Sequence, residues 1–290
     1  NRGLAKQAKR DYDGAIQDYT EAIRLNPQSE NAYTNRGLAK QAKGNFNGAI
    51  QDYTEAIRLN PQSANAYTNR GTAKYAKGDF DGAIQDYTEA IRLNPQFANA
   101  YNNRGLAKCD NGDFDGAIQD YTEALRLNPQ FVDAYNNRGN AKQAKGNFNG
   151  AIQDYTEAVR INPQFANAYT NRGVAKQAKG DFDGAIQDYT EALRINPQFV
   201  DAYNNRGVVK QAKGDFEGAI QDCTEALRLN PQFIDAYLNR GSVKYEKGDR
   251  KGAREDFSIF LKRTQTASDL QITKKRQWIF KHFPELKEKQ

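Results

Sequence analysis

Residues 30–63 read ENAYTNRGLAKQAKGNFNGAIQDYTEAIRLNPQS, and near-copies of this 34-residue stretch follow one another along most of the chain. Glycines mark the period at Gly3, Gly37, Gly71, Gly105, Gly139, Gly173, Gly207 and Gly241. Prolines keep the same interval from Pro27 to Pro231. A fixed period of this length predicts a repeat architecture, in which sparse hydrophobic residues form a core by stacking. With Glu30 as position 1, the chain contains a partial first repeat (1–29) and seven complete repeats (30–267).

Each repeat is predicted to form two amphipathic helices, because residues of one face recur at the helical spacing i, i+3, i+4 and i+7. In the first half of the repeat these residues are Tyr33, Arg36, Gly37 and Lys40. In the second half they are Phe46, Ala49, Ile50, Tyr53, Ala56 and Ile57. Gly44 separates the two helices, and Pro61 ends the second because proline disfavours helical geometry in the residue before it. The predicted fold class is therefore all-α, an α-solenoid of stacked antiparallel helix pairs.

This pattern resembles the tetratricopeptide repeat (TPR) family, which places an aromatic residue, Leu-Gly, Tyr, Ala, a second aromatic residue and Pro at set positions over 34 residues. The resemblance covers about nine tenths of the chain. It implies a right-handed superhelix in which the first helix of each pair lines the concave side. It also implies a surface that binds protein partners, although a fold alone does not specify which partner is bound.

One departure from the family pattern is an arginine at position 7, where the family usually has leucine. A guanidinium on a buried helix face requires a carboxylate, and in every copy an aspartate directly precedes the core aromatic position of the second helix. The arginines are Arg2, Arg36, Arg70, Arg104, Arg138, Arg172, Arg206 and Arg240. The aspartates are Asp18, Asp52, Asp86, Asp120, Asp154, Asp188, Asp222 and Asp256. We expect an Arg–Asp ladder inside the repeats; the alternative is a ladder of arginines that contact a ligand.

A second departure is a lysine at position 11, where the family has tyrosine. A lysine can lay its methylene groups along an apolar surface and keep its ammonium group in water. Two interpretations stay open. Each lysine either covers apolar surface at the helix edge with its methylene groups, or belongs to a row of cations beside the groove that is available to an anionic partner. The lysines of this possible groove flank are Lys40, Lys74, Lys108, Lys142, Lys176 and Lys210.

The candidate binding surface is the opposite stripe of the first helix, formed by positions 2, 5, 6, 9 and 12. Position 6 is asparagine in every copy, and the predicted peptide-binding ladder is Asn35, Asn69, Asn103, Asn137, Asn171, Asn205 and Asn239. An amide side chain offers donors and an acceptor, so a row of amides can satisfy the backbone of an extended peptide without reading its sequence. The resemblance supports this role, since related TPR proteins use asparagines at this position in that manner. The alternative is that the asparagines make only local hydrogen bonds between adjacent first helices.

The carboxylate clamp of chaperone-binding TPR proteins is not expected here. That clamp needs lysines at positions 2 and 5 of particular repeats, whereas position 5 holds Thr, Asn or Leu and position 2 holds Asn or Asp. Recognition of acidic chaperone C-termini is therefore disfavoured. Asp133, Asp201 and Asp235 at position 2 instead favour a peptide with some basic character toward the C-terminal half of the groove.

The end of the chain departs from the repeat. Residues 268–284 are predicted to form a C-terminal capping helix with Ser268 as its N-cap and Pro284 at its end, and 285–290 form a charged tail. The apolar stripe of this helix consists of Ile272, Ile279, Phe280 and Phe283. Trp278 is either part of this seal over the core or an exposed contact.

Composition argues against several function classes. Cys109 and Cys223 form no CxxC motif and His282 is the only histidine, so we expect no metal site, no cofactor and no His-dependent catalysis. No stretch approaches the roughly 18 apolar residues of a membrane-spanning helix. Of the net charge of +6, residues 262–290 contribute +5. The groove therefore lacks the spread of basic residues that nucleic-acid binding requires.

Two function classes stay open. The first is a non-catalytic scaffold that holds a protein or peptide partner as an extended segment in the groove. The second is a self-associating module that stacks end to end through uncapped terminal repeats. We expect no enzyme, because no nucleophile–base pair or phosphate-binding loop is visible. The chain begins within a repeat and has no methionine, so we expect an internal fragment; its compartment is left open, with the cytoplasm favoured.

Overall fold

The computed structural model describes residues 2–266 and 269–287, and within these ranges the chain forms α-helices, one short 3-10 helix and no strand. The first helices of the repeats are α1 (Arg2–Ala8), α3 (Glu30–Ala42), α5 (Ala64–Ala76), α7 (Ala98–Asp110), α9 (Val132–Ala144), α11 (Ala166–Ala178), α13 (Val200–Ala212) and α15 (Ile234–Glu246). The second helices are α2 (Tyr12–Leu25), α4 (Phe46–Leu59), α6 (Phe80–Leu93), α8 (Phe114–Leu127), α10 (Phe148–Ile161), α12 (Phe182–Ile195), α14 (Phe216–Leu229) and α16 (Arg250–Arg263). Helix α17 (Leu270–His282) and the 3-10 helix Pro284–Leu286 follow. The predicted all-α fold of stacked helix pairs is confirmed.

The helices form two compact units, Asn1–Asn147 with α1 to α9 and Phe148–Gln290 with α10 to α17. In the first unit, α1 packs on α2, α3 on α4, α5 on α6 and α7 on α8, and each second helix also packs on the next first helix. In the second unit, α11 packs on α12, α13 on α14 and α15 on α16, with the same inter-repeat packing. Successive first helices also contact one another within each unit. They therefore line a common surface in each unit, which we call the first-helix surface.

Every second helix for which an N-cap is described starts at an aspartate or asparagine whose side chain caps it. Asp79 Oδ1 accepts a hydrogen bond from the Gly82 N–H at 3.0 Å, and Asp113 does the same for Gly116 at 2.9 Å. Aspartate and asparagine are favoured at this position because they satisfy a backbone donor that the helix itself leaves unpaired.

The end of each complete first helix is fixed by a glycine in the left-handed conformation. Gly44 has φ of 76°, and its N–H donates to the Gln41 carbonyl at 2.9 Å. Asn45 N–H donates to the Lys40 carbonyl at 2.9 Å, which completes a Schellman motif. Arg10 adopts φ of 60° at the equivalent place in the partial first repeat. The glycine thus sets the sharp turn between the helices without the steric cost that a side chain brings.

The core of a repeat is an aromatic side chain packed against a glycine. Gly173 lies so close to Tyr189 that a Cβ atom there would come within 2.7 Å of the ring. Tyr189 is fully buried and also packs against Val209 of the next repeat, so one ring joins two repeats. Cys223 takes the place of this tyrosine in the following copy, and there a Cβ on Gly207 would lie 3.0 Å from the sulfur.

Helix α17 packs on α15 and α16. The buried cluster consists of Ala253, Phe257, Phe260, Leu261, Ile279, Phe283 and Leu286, with Ile272 and Phe280 partly buried against it. Arg250, which stands where the preceding repeat has Phe216, lies over the Phe283 ring at 4.9 Å and donates to the His282 carbonyl at 2.9 Å. The residues of the last repeat that depart from the pattern are therefore among those that contact α17.

The expected N-cap of α17, Ser268, lies outside the described residues. The N-cap in the structure is Asp269, whose Oδ1 accepts hydrogen bonds from the N–H groups of Gln271 and Ile272 at 2.8 and 3.0 Å. That α17 acts as a cap for the array stays a prediction.

We expect Gly173→Ala to destabilise the chain by about 1–3 kcal/mol, because the new methyl group overlaps the buried Tyr189 ring. Gly207→Ala is the matched control at the same repeat position, and its cost should be smaller because it faces Cys223. Urea unfolding of both variants measures the difference. Equal free energies of unfolding for Gly173→Ala and Gly207→Ala would show that overlap with the Tyr189 ring does not determine the cost of the added methyl group.

Removal of α17 by truncation after Thr266 should lower the melting temperature and promote association, because it exposes Phe257, Phe260 and Leu261. Thermal unfolding and light scattering measure the two effects. A chain that ends at Leu286 is the control and should behave as the parent. An unchanged melting temperature in a monomeric truncated chain would show that α17 is not a cap.

Candidate functional site

The position-7 arginines lie inside the repeats. Arg36 Nε donates to Asp52 Oδ2 at 3.0 Å, and Arg36 Nη2 donates to Asp52 Oδ1 at 2.7 Å. Lys40 Nζ lies 2.8 Å from Asp52 Oδ2. The Asp52 side chain is only 4% exposed, against 16% for Arg36 and 18% for Lys40. One buried carboxylate is therefore held between two cations, and we call this group an Arg–Asp–Lys cluster.

The predicted Arg–Asp contact is confirmed in every complete repeat for which the pair is described, with Nη2–Oδ1 distances of 2.6 to 2.7 Å. These further pairs are Arg70–Asp86, Arg104–Asp120, Arg172–Asp188, Arg206–Asp222 and Arg240–Asp256. In the partial first repeat Arg2 also pairs with Asp18, but Arg2 is 77% exposed. Burial disfavours the charged form of Arg240, yet the hydrogen bond and charge of Asp256 outweigh it and raise the pKa of Arg240.

Each arginine also contacts the preceding repeat. Arg104 Nη1 donates to Thr88 Oγ1 at 3.1 Å, and Thr88 belongs to the second helix of the repeat before. The Arg104 guanidinium lies 5.6 Å from the centre of the Tyr101 ring, within the range of a cation–π contact. The same bond to a threonine, at 3.0 to 3.2 Å, is made by Arg36, Arg70, Arg138, Arg172, Arg206 and Arg240. These internal partners argue against the alternative of a ligand-contacting arginine ladder.

The structure corrects the interpretation of the position-11 lysines as a row of accessible cations. Five of them place Nζ 2.8 Å from the aspartate of their own repeat, and their side chains are about four-fifths buried: Lys40, Lys74, Lys108, Lys176 and Lys210. Lys40 and Lys74 also donate to the backbone carbonyls of Gly48 and Gly82. The lysine side chain is long enough to reach the carboxylate that the arginine needs, so it completes the cluster and does not flank the groove. Lys40 follows Arg36 by one helical turn on the same face, and this spacing is the sequence signal from which a partner shared with Arg36 could have been predicted.

The ladder asparagines are partly exposed at Asn35, Asn69, Asn103, Asn137, Asn171, Asn205 and Asn239. Asn137 Nδ2 donates to Asn102 Oδ1 at 3.2 Å, and Asn239 Nδ2 donates to Asn204 Oδ1 at 2.8 Å. Both acceptors occupy position 5 of the preceding first helix. Local hydrogen bonds between adjacent first helices therefore account for one amide donor of Asn137 and of Asn239.

The residue at position 5 decides whether the next asparagine has such a partner. At two of the position-5 threonines the hydroxyl donates to a carbonyl of its own helix, at 2.9 Å for Thr68 and 3.2 Å for Thr170. Within residues 2–266 and 269–287, the side chains of Asn69 and Asn205 form no hydrogen bond, and buried Thr34 Oγ1 has no partner either. The ladder thus contains amides held by a neighbour, such as those of Asn137 and Asn239, and open amides, such as those of Asn69 and Asn205.

Other positions of the first-helix surface vary between repeats. Position 2 is exposed throughout, which includes the three acidic residues Asp133, Asp201 and Asp235. Position 9 changes from Leu38 in the first unit to Val208 in the second. The asparagines of the ladder are therefore constant from repeat to repeat, whereas the residues beside them at positions 2 and 9 differ.

The described part of the chain holds no group of three or more His, Cys, Asp or Glu side chains that could bind a metal ion. None of its helices combines the length and the apolar character that crossing a bilayer requires. Burial raises the pKa of the Cys223 thiol to about 12 and also raises the pKa of Cys109. Both thiols are therefore poorly disposed to act as nucleophiles at neutral pH.

Stacked helix pairs with a 34-residue period, together with a polar surface built from the first helices, define a helical-repeat protein of the solenoid class. The family model of the TPR repeat matches residues 3–44, 40–78, 71–111, 105–146, 139–180 and 176–214, and a tetratricopeptide repeat model matches residues 200–233. The chain belongs to the tetratricopeptide repeat family.

Several solved structures are similar to the chain. MamA, known from a crystal structure, has 29% sequence identity to this chain and a TM-score of 0.53, and the match covers 58% of this chain and 98% of MamA. YrrB, described as a TPR protein with an unusual peptide-binding site, is 22% identical with a TM-score of 0.54 and covers 64% of this chain and 96% of its own. A tetratricopeptide repeat protein from Parabacteroides merdae has 20% sequence identity to this chain and a TM-score of 0.66, and the match covers 90% of this chain and 98% of that protein. Comparison with curated proteins gives no match.

We expect Asp120→Ala to destabilise the chain by about 3–5 kcal/mol, because it leaves Arg104 and Lys108 side by side without the carboxylate that both contact. Glu123→Ala is the control, since it breaks only the exposed Glu123–Arg126 pair on the same helix and should change the unfolding midpoint little. Chemical unfolding followed by circular dichroism measures both. Similar midpoints for the two variants would contradict a structural role for the cluster.

Proposed function

We propose that this TPR scaffold is non-catalytic and binds an extended peptide along the first-helix surface, with the asparagine ladder hydrogen-bonded to the peptide backbone. TPR repeats are protein–protein interaction modules, and the described residues supply the amides for this mode of binding. The observation that carries the proposal is the state of Asn69 and Asn205, whose amides are partly exposed and form no hydrogen bond within the described chain. Such an amide can donate to a peptide carbonyl and accept from a peptide N–H.

The asparagines that are already hydrogen-bonded fit the same mode. Asn137 and Asn239 each commit Nδ2 to a neighbouring asparagine, which fixes the orientation of the amide. Their Oδ1 atoms can still accept a hydrogen bond from a peptide N–H. Fixing the amide before binding lowers the entropy that is lost when the peptide docks.

The acidic residues at position 2 add a preference to this backbone recognition. Asp133 in the first unit and Asp201 in the second are exposed beside the ladder, where they favour basic residues in the peptide. YrrB is a precedent for peptide binding by a TPR protein, but its 22% identity supports only a shared fold. The proposal therefore rests on the amides of this chain.

We expect single Asn→Ala changes in the ladder to weaken binding slightly, because one net hydrogen bond contributes about 0.5–1.5 kcal/mol. The triple variant Asn35→Ala, Asn69→Ala and Asn103→Ala should weaken binding by about 10- to 1,000-fold. The probe is a peptide selected on the parent chain from a phage-displayed random library, with its Kd measured by fluorescence anisotropy. Circular dichroism checks that the array stays folded.

The matched control is Gln51→Ala, Gln85→Ala and Gln119→Ala, which removes three exposed amides from the second helices of the same repeats. It should leave the Kd unchanged. A peptide that binds the ladder variant as tightly as the parent would place recognition elsewhere.

Leu4 and Leu25 are 51% and 70% exposed in the partial first repeat and favour self-association as the second candidate function. Light scattering over a concentration range, on the parent chain without peptide, distinguishes that case.

A further inference from the structure

A cavity of about 440 Å³ lies between α15 and α17 in the second unit. Leu238, Ser242 and Tyr245 line it from α15, and Lys274 and Trp278 line it from α17. Asn239, the last residue of the asparagine ladder, also contributes to its wall. We call this cavity the end pocket. Because Asn239 belongs to both features, the end pocket is continuous with the proposed peptide-binding surface of the second unit.

The end pocket is where the repeat sequence changes from polar to apolar. Leu238 occupies position 5, which is threonine or asparagine in every other complete repeat. Tyr245 occupies position 12, where the two preceding repeats have Gln177 and Gln211. Ser242 at position 9 replaces Val208 of the repeat before and leaves space between the larger side chains. The changes at positions 5 and 12 replace hydrogen-bonding side chains with larger apolar or aromatic ones, and the small residue at position 9 leaves a recess between them.

Trp278 supplies a preformed aromatic wall to the end pocket. Its ring stacks on His282 at 4.2 Å and meets Tyr245 edge to face at 5.5 Å and Phe257 at 6.0 Å. Despite these contacts Trp278 is 40% exposed, and it is the only tryptophan in the sequence. One portion of the ring therefore packs on the buried Phe257, and another portion remains accessible. An aromatic surface that is held rigid but left exposed is suited to bind another apolar group.

The charges around the end pocket leave one cation without a partner. Glu246 accepts a hydrogen bond from Gln211 at 2.8 Å, and Lys275 lies 3.7 Å from Asp235. Lys274 forms no ion pair or hydrogen bond within residues 2–266 and 269–287. An anionic group next to the apolar occupant would therefore complement the mouth of the pocket.

We propose that the end pocket binds a large apolar side chain of the peptide, and that Lys274 pairs with a carboxylate next to that side chain. This inference rests on the proposed function, because Asn239 would hold the peptide backbone at the pocket mouth. The carboxylate is that of an aspartate or glutamate side chain, because a peptide held along the ladder continues past the pocket and does not need to end there.

The experiment uses the whole chain and two random peptide libraries displayed on phage, one with a free C-terminus and one with an internal random segment. Selected peptides should be enriched in Phe, Leu, Ile or Trp. Enrichment of an adjacent Asp or Glu in both libraries is the expected result, whereas peptides whose apolar residue is enriched only at the end of the free-C-terminus library would show that a terminal carboxylate is bound and would overturn the side-chain source. Selected sequences without a large apolar residue would overturn the proposal.

Pocket variants then test where the selected peptides bind. Ser242→Trp fills the end pocket and should weaken binding by about tenfold or more, as expected when an apolar anchor is lost. Gln221→Trp is the control, since it places the same side chain at an exposed position of the second helix α14, outside the first-helix surface, and it should leave the Kd unchanged. Leu238→Asn is a second pocket variant that restores the polar residue of other repeats, so it tests the same point if Ser242→Trp does not fold.

The charge is tested with Lys274→Glu, which should weaken binding by about tenfold and should have no effect on a peptide whose carboxylate is converted to an amide.

Peptides that depend on the asparagine ladder but bind Ser242→Trp and Leu238→Asn normally would overturn the end pocket and leave the proposed function standing. Peptides that lose binding in both pocket variants but bind the double variant Asn171→Ala and Asn205→Ala normally, which changes the ladder asparagines of the second unit outside the pocket, would support the pocket and overturn the backbone mode. Failure to select any peptide would contradict both.

Discussion

A buried aspartate between an arginine and a lysine is the interaction on which each repeat depends. Asp120 contacts Arg104 and Lys108 from the facing helix, so the carboxylate joins the two helices of one repeat. Arg104 then donates to Thr88 and joins that repeat to the one before. Because a guanidinium has donors in several directions in one plane, it can satisfy a carboxylate and a hydroxyl at the same time. In the usual family pattern, a leucine at position 7 joins the helices by packing alone. In this protein, charged side chains join them through ion pairs and hydrogen bonds.

This cluster also orients the candidate binding surface. Adjacent residues on a helix point about 100° apart, so an arginine fixed toward the second helix turns its neighbour at position 6 away from it. Asn103 and Asn137 therefore emerge on the first-helix surface of the first unit because Arg104 and Arg138 are held inside. The amide row is a consequence of the buried charges, since the same helix rotation sets both.

Buried charges are weak evidence for stability by themselves, because desolvation offsets most of the attraction. The favourable term comes from packing, in which rings such as Tyr189 fill the space over Gly173 and reach Val209 of the next repeat. The clusters contribute specificity, because a shifted helix would leave an aspartate without its cations. At the end of the second unit, aromatic contacts join α17 to the last repeat. The rings of Trp278, in α17, and of Phe283, directly after α17, pack edge to face on the Phe257 ring.

The sequence alone determined the helix pairs, their boundaries and the Arg–Asp contact, because these depend on local spacing that repeats every 34 residues. It indicated the constant amide row for the same reason. Only the tertiary structure decided that Lys40 joins Asp52 and not the groove, since the reach of a flexible side chain depends on how closely two helices approach. It also decided that Asn205 is open while Asn239 is paired, and that Leu238 and Trp278 face one cavity. Those outcomes depend on contacts between side chains of different helices, and the distances between those side chains are not contained in a pattern along the sequence.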